Sequence, residues 1–256
     1  MSRLIPLAAV VAALTLVPRA APAAVVSSER DAREAVKHYR AGEDALLHEL
    51  FDQAELEFRQ AAKLDPLLVA AHYGLGRTMM ATKRYPDAVD AFVAARNAFA
   101  QGQAVEASNE MSMQRRLDDQ IKALQDDVTT AQRQSSGANA SRIQDAIARN
   151  QDQIKTLQSL RKRGGEGPLP TPHWLSLALG SAYFRNKDLK LAEQEYRAAL
   201  EEKPDLGEGH LNLAVVCMLT GRLDEADSEV ALAEKAGVKV PQGLKDDIRK
   251  LREAKP

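Results

Sequence analysis

Three histidines, His38, His72 and His210, recur at equivalent places in a repeating pattern, and a row of imidazoles is what this sequence offers that most suggests metal chemistry. Distance argues against it. Equivalent positions on stacked helices lie about 8–10 Å apart, whereas two nitrogens sharing one zinc must each come within about 2.1 Å of it. These histidines are expected to pack between helices, and no metal is expected. His48 and His173 read as surface residues. The single cysteine, Cys217, falls in the apolar stretch Leu213–Leu219 and reads as a small core residue, since thiols in apolar surroundings are inert. The pairs Asp118-Asp119, Asp126-Asp127 and Asp246-Asp247 are adjacent on helices and point to different sides, so they cannot serve as a paired acid and base. No strand followed by a Gly-rich phosphate loop is evident. The chain therefore reads as a non-enzyme, with no catalytic residue and no cofactor.

Composition indicates helices as the framework. The 256-residue chain is 45% hydrophobic and 28% charged, enough to bury one or two modest cores and too apolar for disorder. Aromatic residues make up 4% and alanine is abundant, a bias towards closely packed helices over sheet. With 35 basic and 36 acidic side chains the net charge is -1, which leaves no broad field to attract nucleic acid or an anionic membrane.

At the start, Arg3 precedes the apolar run Leu4–Val17, Pro18 breaks it, and Ala21-Pro22-Ala23 offers small residues to a signal peptidase. Residues 1–24 read as a secretory signal peptide cleaved near Ala23 or Ala24, and the run is shorter than the ~20 residues that cross a bilayer. No later segment is long enough either, so no membrane span is expected. Cys217 lies far from the leader and has no partner for an internal disulfide. The expected location is periplasmic or secreted.

Gly42, Ala54, Phe58 and Ala61 are echoed in register by Gly76, Ala88, Phe92 and Ala95, a period of about 34 residues. The pattern resumes at Gly180, Ala192, Tyr196 and Ala199, and again at Ala214, Ala226, Val230 and Ala233. Leu75-Gly76 with Met79, Leu179-Gly180 with Tyr183, and the closing Pro66 and Pro204 complete a pattern that resembles the tetratricopeptide-repeat family. Ala100 and Val238 replace the closing proline in the other two repeats, and His72 and Ser176 stand where the family often carries a bulky residue.

The resemblance implies an all-α superhelix of two repeat pairs, residues 28–100 and 173–240, with a capping helix over 241–256. Small residues then mark where helices come closest, and each pair needs its neighbour to cover its apolar face. In this family the first helix of each repeat lines a concave groove that takes a protein or peptide. The corresponding positions here are Tyr39, Tyr73, Arg77, Met80, Trp174, Leu177, Phe184, Asn212 and Met218. Aromatic, Arg and Met side chains are enriched in interfaces. For Leu177 and Met218, helix-pair core is an equal alternative. The family's basic clamp for a C-terminal carboxylate is not carried over, because Arg77 and Asn212 stand in different repeat pairs.

Residues 101–163 break the pattern. Leu117, Ile121, Leu124, Val128 and Ala131 alternate in steps of four and three, as do Ile143, Ile147, Asn150, Ile154 and Leu157, which is a heptad seam. An antiparallel coiled-coil hairpin follows, with polar Gln132–Ala140 at its tip and Ser141-x-x-Gln144 as a capping box for the second arm. Its first arm of roughly 30 residues would reach about 45 Å and should project from the repeats. Asn150 is read as facing solvent, with a register role as the alternative. Asn139-Ala140-Ser141 matches a glycosylation acceptor. Gly164–Pro172 is a hinge, with Thr171 as the next helix cap.

The sequence thus indicates a non-catalytic interaction scaffold of the cell envelope that binds a protein or peptide in its groove. The alternative is a structural spacer that oligomerises through the coiled coil. Sequencing the N-terminus of the mature protein should recover a start after Ala23 or Ala24 in the exported soluble fraction; Met1 recovered from a membrane pellet would refute the leader.

Overall fold

The computed structural model describes residues 27–106, 110–133, 140–162 and 169–254. The stretch read as a signal peptide, the Asn139 position read as a glycosylation acceptor, most of the expected hairpin tip and the first part of the expected hinge lie outside the described residues.

Among the described residues all regular structure is helical. The order is α1 (Glu29–Leu47), α2 (Phe51–Leu64), α3 (Val69–Ala81), α4 (Tyr85–Glu106), α5 (Glu110–Arg133), α6 (Ala140–Lys162), α7 (His173–Arg185), α8 (Leu189–Glu202), α9 (Gly207–Leu219), α10 (Leu223–Lys235) and α11 (Gln242–Glu253). The pairs α1/α2, α3/α4, α7/α8 and α9/α10 are the four repeats. Local chemistry sets their ends. The Ser28 hydroxyl accepts from the Asp31 N–H at 3.1 Å and caps α1. Pro66 and Pro204 keep the residues before them, Asp65 and Lys203, in extended backbone, so α2 and α8 stop there. Glu49, Lys83 and Lys187 turn the chain within the first three repeats at φ of 60, 61 and 69°. The fourth repeat uses Gly221 at φ 77°, where a residue without Cβ is unstrained.

Each of the first three repeats closes by seating an aromatic ring of its second helix on a glycine of its first. A Cβ added to Gly42 would fall 2.7 Å from the Phe58 ring, and one added to Gly74 in the next repeat 2.5 Å from the same ring. Gly76 meets Phe92 more closely still, and Gly180 meets Tyr196 at 2.7 Å. Leu175 and Leu179 of α7 join Phe92 and Ala95 of α4 in one core, and Arg96 pairs with Glu195 at 2.7 Å. The second and third repeats therefore stack directly, and the four form a continuous superhelix with the hairpin as an insertion. Ile248 of α11 is buried and closes the core of the last repeat.

Helices α5 and α6 pack on each other through Ile121, Leu124, Val128 and Ile154, with Ile147 and Leu157 beside them. They do not project. The hairpin folds back along the first helices of repeats one and two, fixed by Arg40 to Asp126 at 3.2 Å and by His173 to Asp152 at 2.7 Å. Two caps also differ from expectation: Pro172 precedes α7 in place of Thr171, and α6 begins at Ala140, so Ser141 lies inside the helix. Proline suits the start of a helix because the missing N–H has no intrahelical partner there.

Gly76→Ala should lower stability by about 2 kcal/mol, because the ring of Phe92 must move in a close-packed core. Gly102→Ala, on α4 with open space around it, should be neutral or stabilising by up to about 1 kcal/mol. Chemical denaturation of both variants checks the pair; equal effects would show that the contact does not set the helix spacing.

Candidate functional site

The face expected to form the groove is that of the first helices α1, α3, α7 and α9, and its two halves differ. Over the first half lie α5 and α6. Between hairpin and repeats is an apolar cavity of about 120 Å³ whose wall includes Val36, Tyr39, Leu68, Leu117, Leu124 and Trp174. Beside it an open pocket of about 560 Å³ is lined by charge, with Arg40, Glu43 and Arg77 from the repeats and Asp127, Asp145 and Arg149 from the hairpin. Asn150, expected to face solvent, is half-buried in this second pocket.

Arg77 of α3 donates from Nη1 to both oxygens of Glu43 on α1 at 2.8 Å, a charge-assisted pair across adjacent repeats. Burial disfavours the Arg77 charge, but Glu43 outweighs it and holds the guanidinium above its ordinary pKa. Asp127 of α5 faces this pair with one carboxylate oxygen buried and unpartnered. Burial and then the nearby charge of Glu43 push the Asp127 carboxyl up to about 6, with Arg40 opposing. At the other end of the hairpin His173 is buried, in contrast to the surface position expected for it. Its Nε2 lies 2.7 Å from Asp152 of α6 and its Nδ1 3.5 Å from Glu202 of α8, while Lys203 reaches Asp152 at 3.5 Å. Burial works against the imidazolium, yet Glu202 and Asp152 together raise its pKa.

These placements sort the groove residues expected from the sequence. Tyr39 and Tyr73 are not open to a partner. Both are buried, Tyr39 beside Phe58 and Tyr73 between Phe92 and Trp174. Trp174 stands edge-on to Tyr73 with ring centres 4.9 Å apart, and its Nε1 is buried without a partner. Arg77 is engaged by Glu43, and Met80 packs against the second and third repeats. In the second half, Leu177, Phe184 and Met218 are half-buried against the core of the last two repeats, Asn212 is half-buried, and no described residue of α5 or α6 lines a pocket with them. Leu211 and Val215 of α9 are also half-buried, and Leu219 is 53% exposed.

The histidine row resolves into helix ties. His38 Nδ1 lies 2.7 Å from Glu57 and His210 Nδ1 2.6 Å from Glu229, linking first to second helix in the same way in repeats one and four. His72 and His210 meet the carbonyls of Pro66 and Pro204. Cys217 is fully buried, and burial pushes its thiol up to about 11. Among the described residues no three or more His, Cys, Asp or Glu side chains are grouped to hold a metal ion, and no helix is long and apolar enough to cross a membrane. Asp152 and Glu43 were not singled out from the sequence, and Asp127 was weighed there only as half of an acid–base pair with Asp126. Each looks like one more charge on a solvated helix, and only the docking of the hairpin gives it a role.

A family profile for the tetratricopeptide repeat matches residues 39–104, 157–207 and 177–237. No curated protein matches the chain. Among solved structures the fold is similar to that of PilF of Pseudomonas aeruginosa, at 15% identity and a TM-score of 0.36, covering 88% of this chain and 87% of that one. It is similar also to a thermophilic tetratricopeptide-repeat protein of Thermus thermophilus, at 19% identity and a TM-score of 0.29, covering 85% and 98%. A third is YrrB, described as a tetratricopeptide-repeat protein with an unusual peptide-binding site, at 14% identity and a TM-score of 0.30, covering 87% and 94%.

Trp174→Ala is expected to act on stability, because the ring joins Tyr73 to the core between repeats two and three. A loss of about 3 kcal/mol should appear as a lower unfolding midpoint; an unchanged midpoint would return Trp174 to the list of free contact residues.

Proposed function

Because the chain belongs to the tetratricopeptide-repeat family, whose members serve as protein-interaction scaffolds, we propose that it is a non-catalytic scaffold of the cell envelope that binds a protein or peptide segment on the second half of its groove. The observation that carries this is the unequal cover of the concave face. The hairpin occupies the floor formed by α1 and α3. The floor formed by α7 and α9 keeps Leu177, Phe184, Leu211, Val215, Met218 and Leu219 partly or largely exposed along successive first helices. An apolar stripe of this kind at the centre of a concavity suits a short amphipathic or extended segment, with side chains entering between neighbouring helices.

The envelope assignment rests on the leader read at residues 1–24. Self-association through the coiled coil is the weaker reading. The apolar seam of the hairpin is already used between α5 and α6, and Asp118, Asp119, Lys122 and Gln125 on α5 are exposed polar residues.

A photoreactive amino acid placed at Leu219 in the tagged mature protein should crosslink a specific partner in cells, whereas one at Leu56 on α2, 67% exposed and outside the groove, should not. Phe184→Ala should then weaken that partner by about thirtyfold, the effect of losing roughly 2 kcal/mol at an aromatic anchor. Equal capture from both positions, or unchanged affinity in Phe184→Ala, would remove the groove from the account.

A further inference from the structure

The hairpin meets the repeats through a contact unlike the rest of the molecule. The repeat cores are apolar and close-packed around Phe58, Phe92 and Tyr196. The hairpin interface holds an apolar cavity and an open charged pocket, and its polar anchors are ionisable. Its two ends respond to protons in the same direction. We propose that the α5–α6 hairpin is an acid-favoured latch over the first half of the groove, docked in mildly acidic medium and released as the medium approaches and passes neutrality. Release would uncover Val36, Tyr39, Glu43 and Arg77. The inference deepens the scaffold reading of the same groove, and its functional meaning rests on that reading.

At the tip-side contact, Asp127 is faced by Glu43 and Arg40 of α1 and by Arg77 of α3. Asp126 stands beside it on its own helix, and Asp145 and Arg149 of α6 line the same pocket. Arg77 is already paired with Glu43 and Arg40 with Asp126, so the attraction of Arg40 offsets only part of the cost of an ionised Asp127. The buried Oδ2 is tolerated as a protonated carboxyl and opposed as a carboxylate. With the carboxyl at about 6 when docked and 3.8 when free, docking is strongest below the free value and weakens as pH rises towards the docked value. Between pH 5 and pH 8 that alone amounts to at most about tenfold in the docking equilibrium, less whatever solvent reaches the group.

At the hinge-side contact, protonated His173 bridges Asp152 of the hairpin and Glu202 of the repeats, with Lys203 as a second cation on Asp152. Glu202 stays beside His173 on the repeats and only Asp152 leaves with the hairpin, so the part of the raised pKa that Asp152 supplies is what couples to docking: the bond to Asp152 is strongest with His173 protonated and is lost as pH climbs through the raised value. The two ends therefore cover consecutive pH ranges and act together. Arg40 with Asp126 and Lys203 with Asp152 are further ties between hairpin and repeats.

The latch can be read as a distance. Spin labels at Gln125→Cys on α5 and Lys63→Cys on α2 sit at exposed positions, and native Cys217 is fully buried, so it stays unlabelled in the folded chain. Double electron–electron resonance on the full mature chain should give one short distance at pH 5 and a growing longer population up to pH 8. Asp127→Asn should keep the short distance dominant to higher pH and flatten the profile around pH 5–6. His173→Gln should lower docking at pH 5 and flatten the profile above it, with the repeat core intact by unfolding midpoint. A distance distribution that does not change between pH 5 and pH 8, or an Asp127→Asn variant with the parental profile, overturns the latch. The experiment does not read partner binding, so failure of the Leu219 and Phe184 tests would sink the scaffold reading and leave this result standing.

Discussion

Phe58 lies between Gly42 of its own repeat and Gly74 of the next, at distances that leave no room for a methyl group on either. One ring thus fixes both the spacing within a repeat and the stacking of repeat on repeat. The same arrangement recurs within repeats at Gly76 with Phe92 and Gly180 with Tyr196. Because close-packed cores are not continuously deformable, this contact determines how each pair sits on the last, and the accumulated rotation produces the concave face. The groove is therefore a consequence of core packing. Its residues need no strain to be held open, and α11 ends the array by burying Ile248 where a fifth repeat would otherwise dock.

On that rigid floor the hairpin is a different kind of element. Its own seam, Ile121, Leu124 and Val128 against Ile154, joins α5 and α6 through contacts that involve no residue of the repeats. What faces the groove is mixed: Leu117 and Leu124 over an apolar cavity, then Asp126, Asp127 and Arg149 over a charged one. Buried ion pairs gain little net free energy over hydrophobic contacts of the same volume, although breaking one partner is costly. An interface of this composition specifies where the hairpin lies better than it holds it there.

The repeats were legible because their rule is steric. Gly or Ala must stand where two helices touch and an aromatic where the ring fills the gap, so the residues themselves announce the architecture. Apolar steps of four and three likewise mark Ile121, Leu124, Val128 and Ile154, through which α5 and α6 pack on each other. The docking of the hairpin was not legible. Asp127, Asp152 and Arg149 carry the charges of an ordinary solvated face, and nothing in their spacing separates a face that meets water from one that meets Glu43 and His173. His173 was misplaced on the surface for the same reason, its partners lying on α6 and α8. The groove residues divided along that line: Tyr39 and Tyr73 sit where the repeat pattern puts them, but the ring contacts and the hairpin above remove them from solvent.

The connectivity makes a weak contact sufficient. The hairpin leaves the repeats at the end of α4 and returns before α7, and those two helices are packed directly on each other through Phe92, Leu175 and Leu179. Both ends are thus anchored to a core that does not depend on the hairpin, and Gln103 of α4 clasps the backbone of Leu169 across the two segments of the junction. Docking is an intramolecular event at high effective concentration, so it needs only a small part of the free energy that a separate chain would require. An equilibrium of that size can be moved by one or two protons. The same charges placed within the repeat core would either unfold the superhelix or do nothing, and it is their position on a tethered, separately folded insertion that turns their titration into a change of exposed surface.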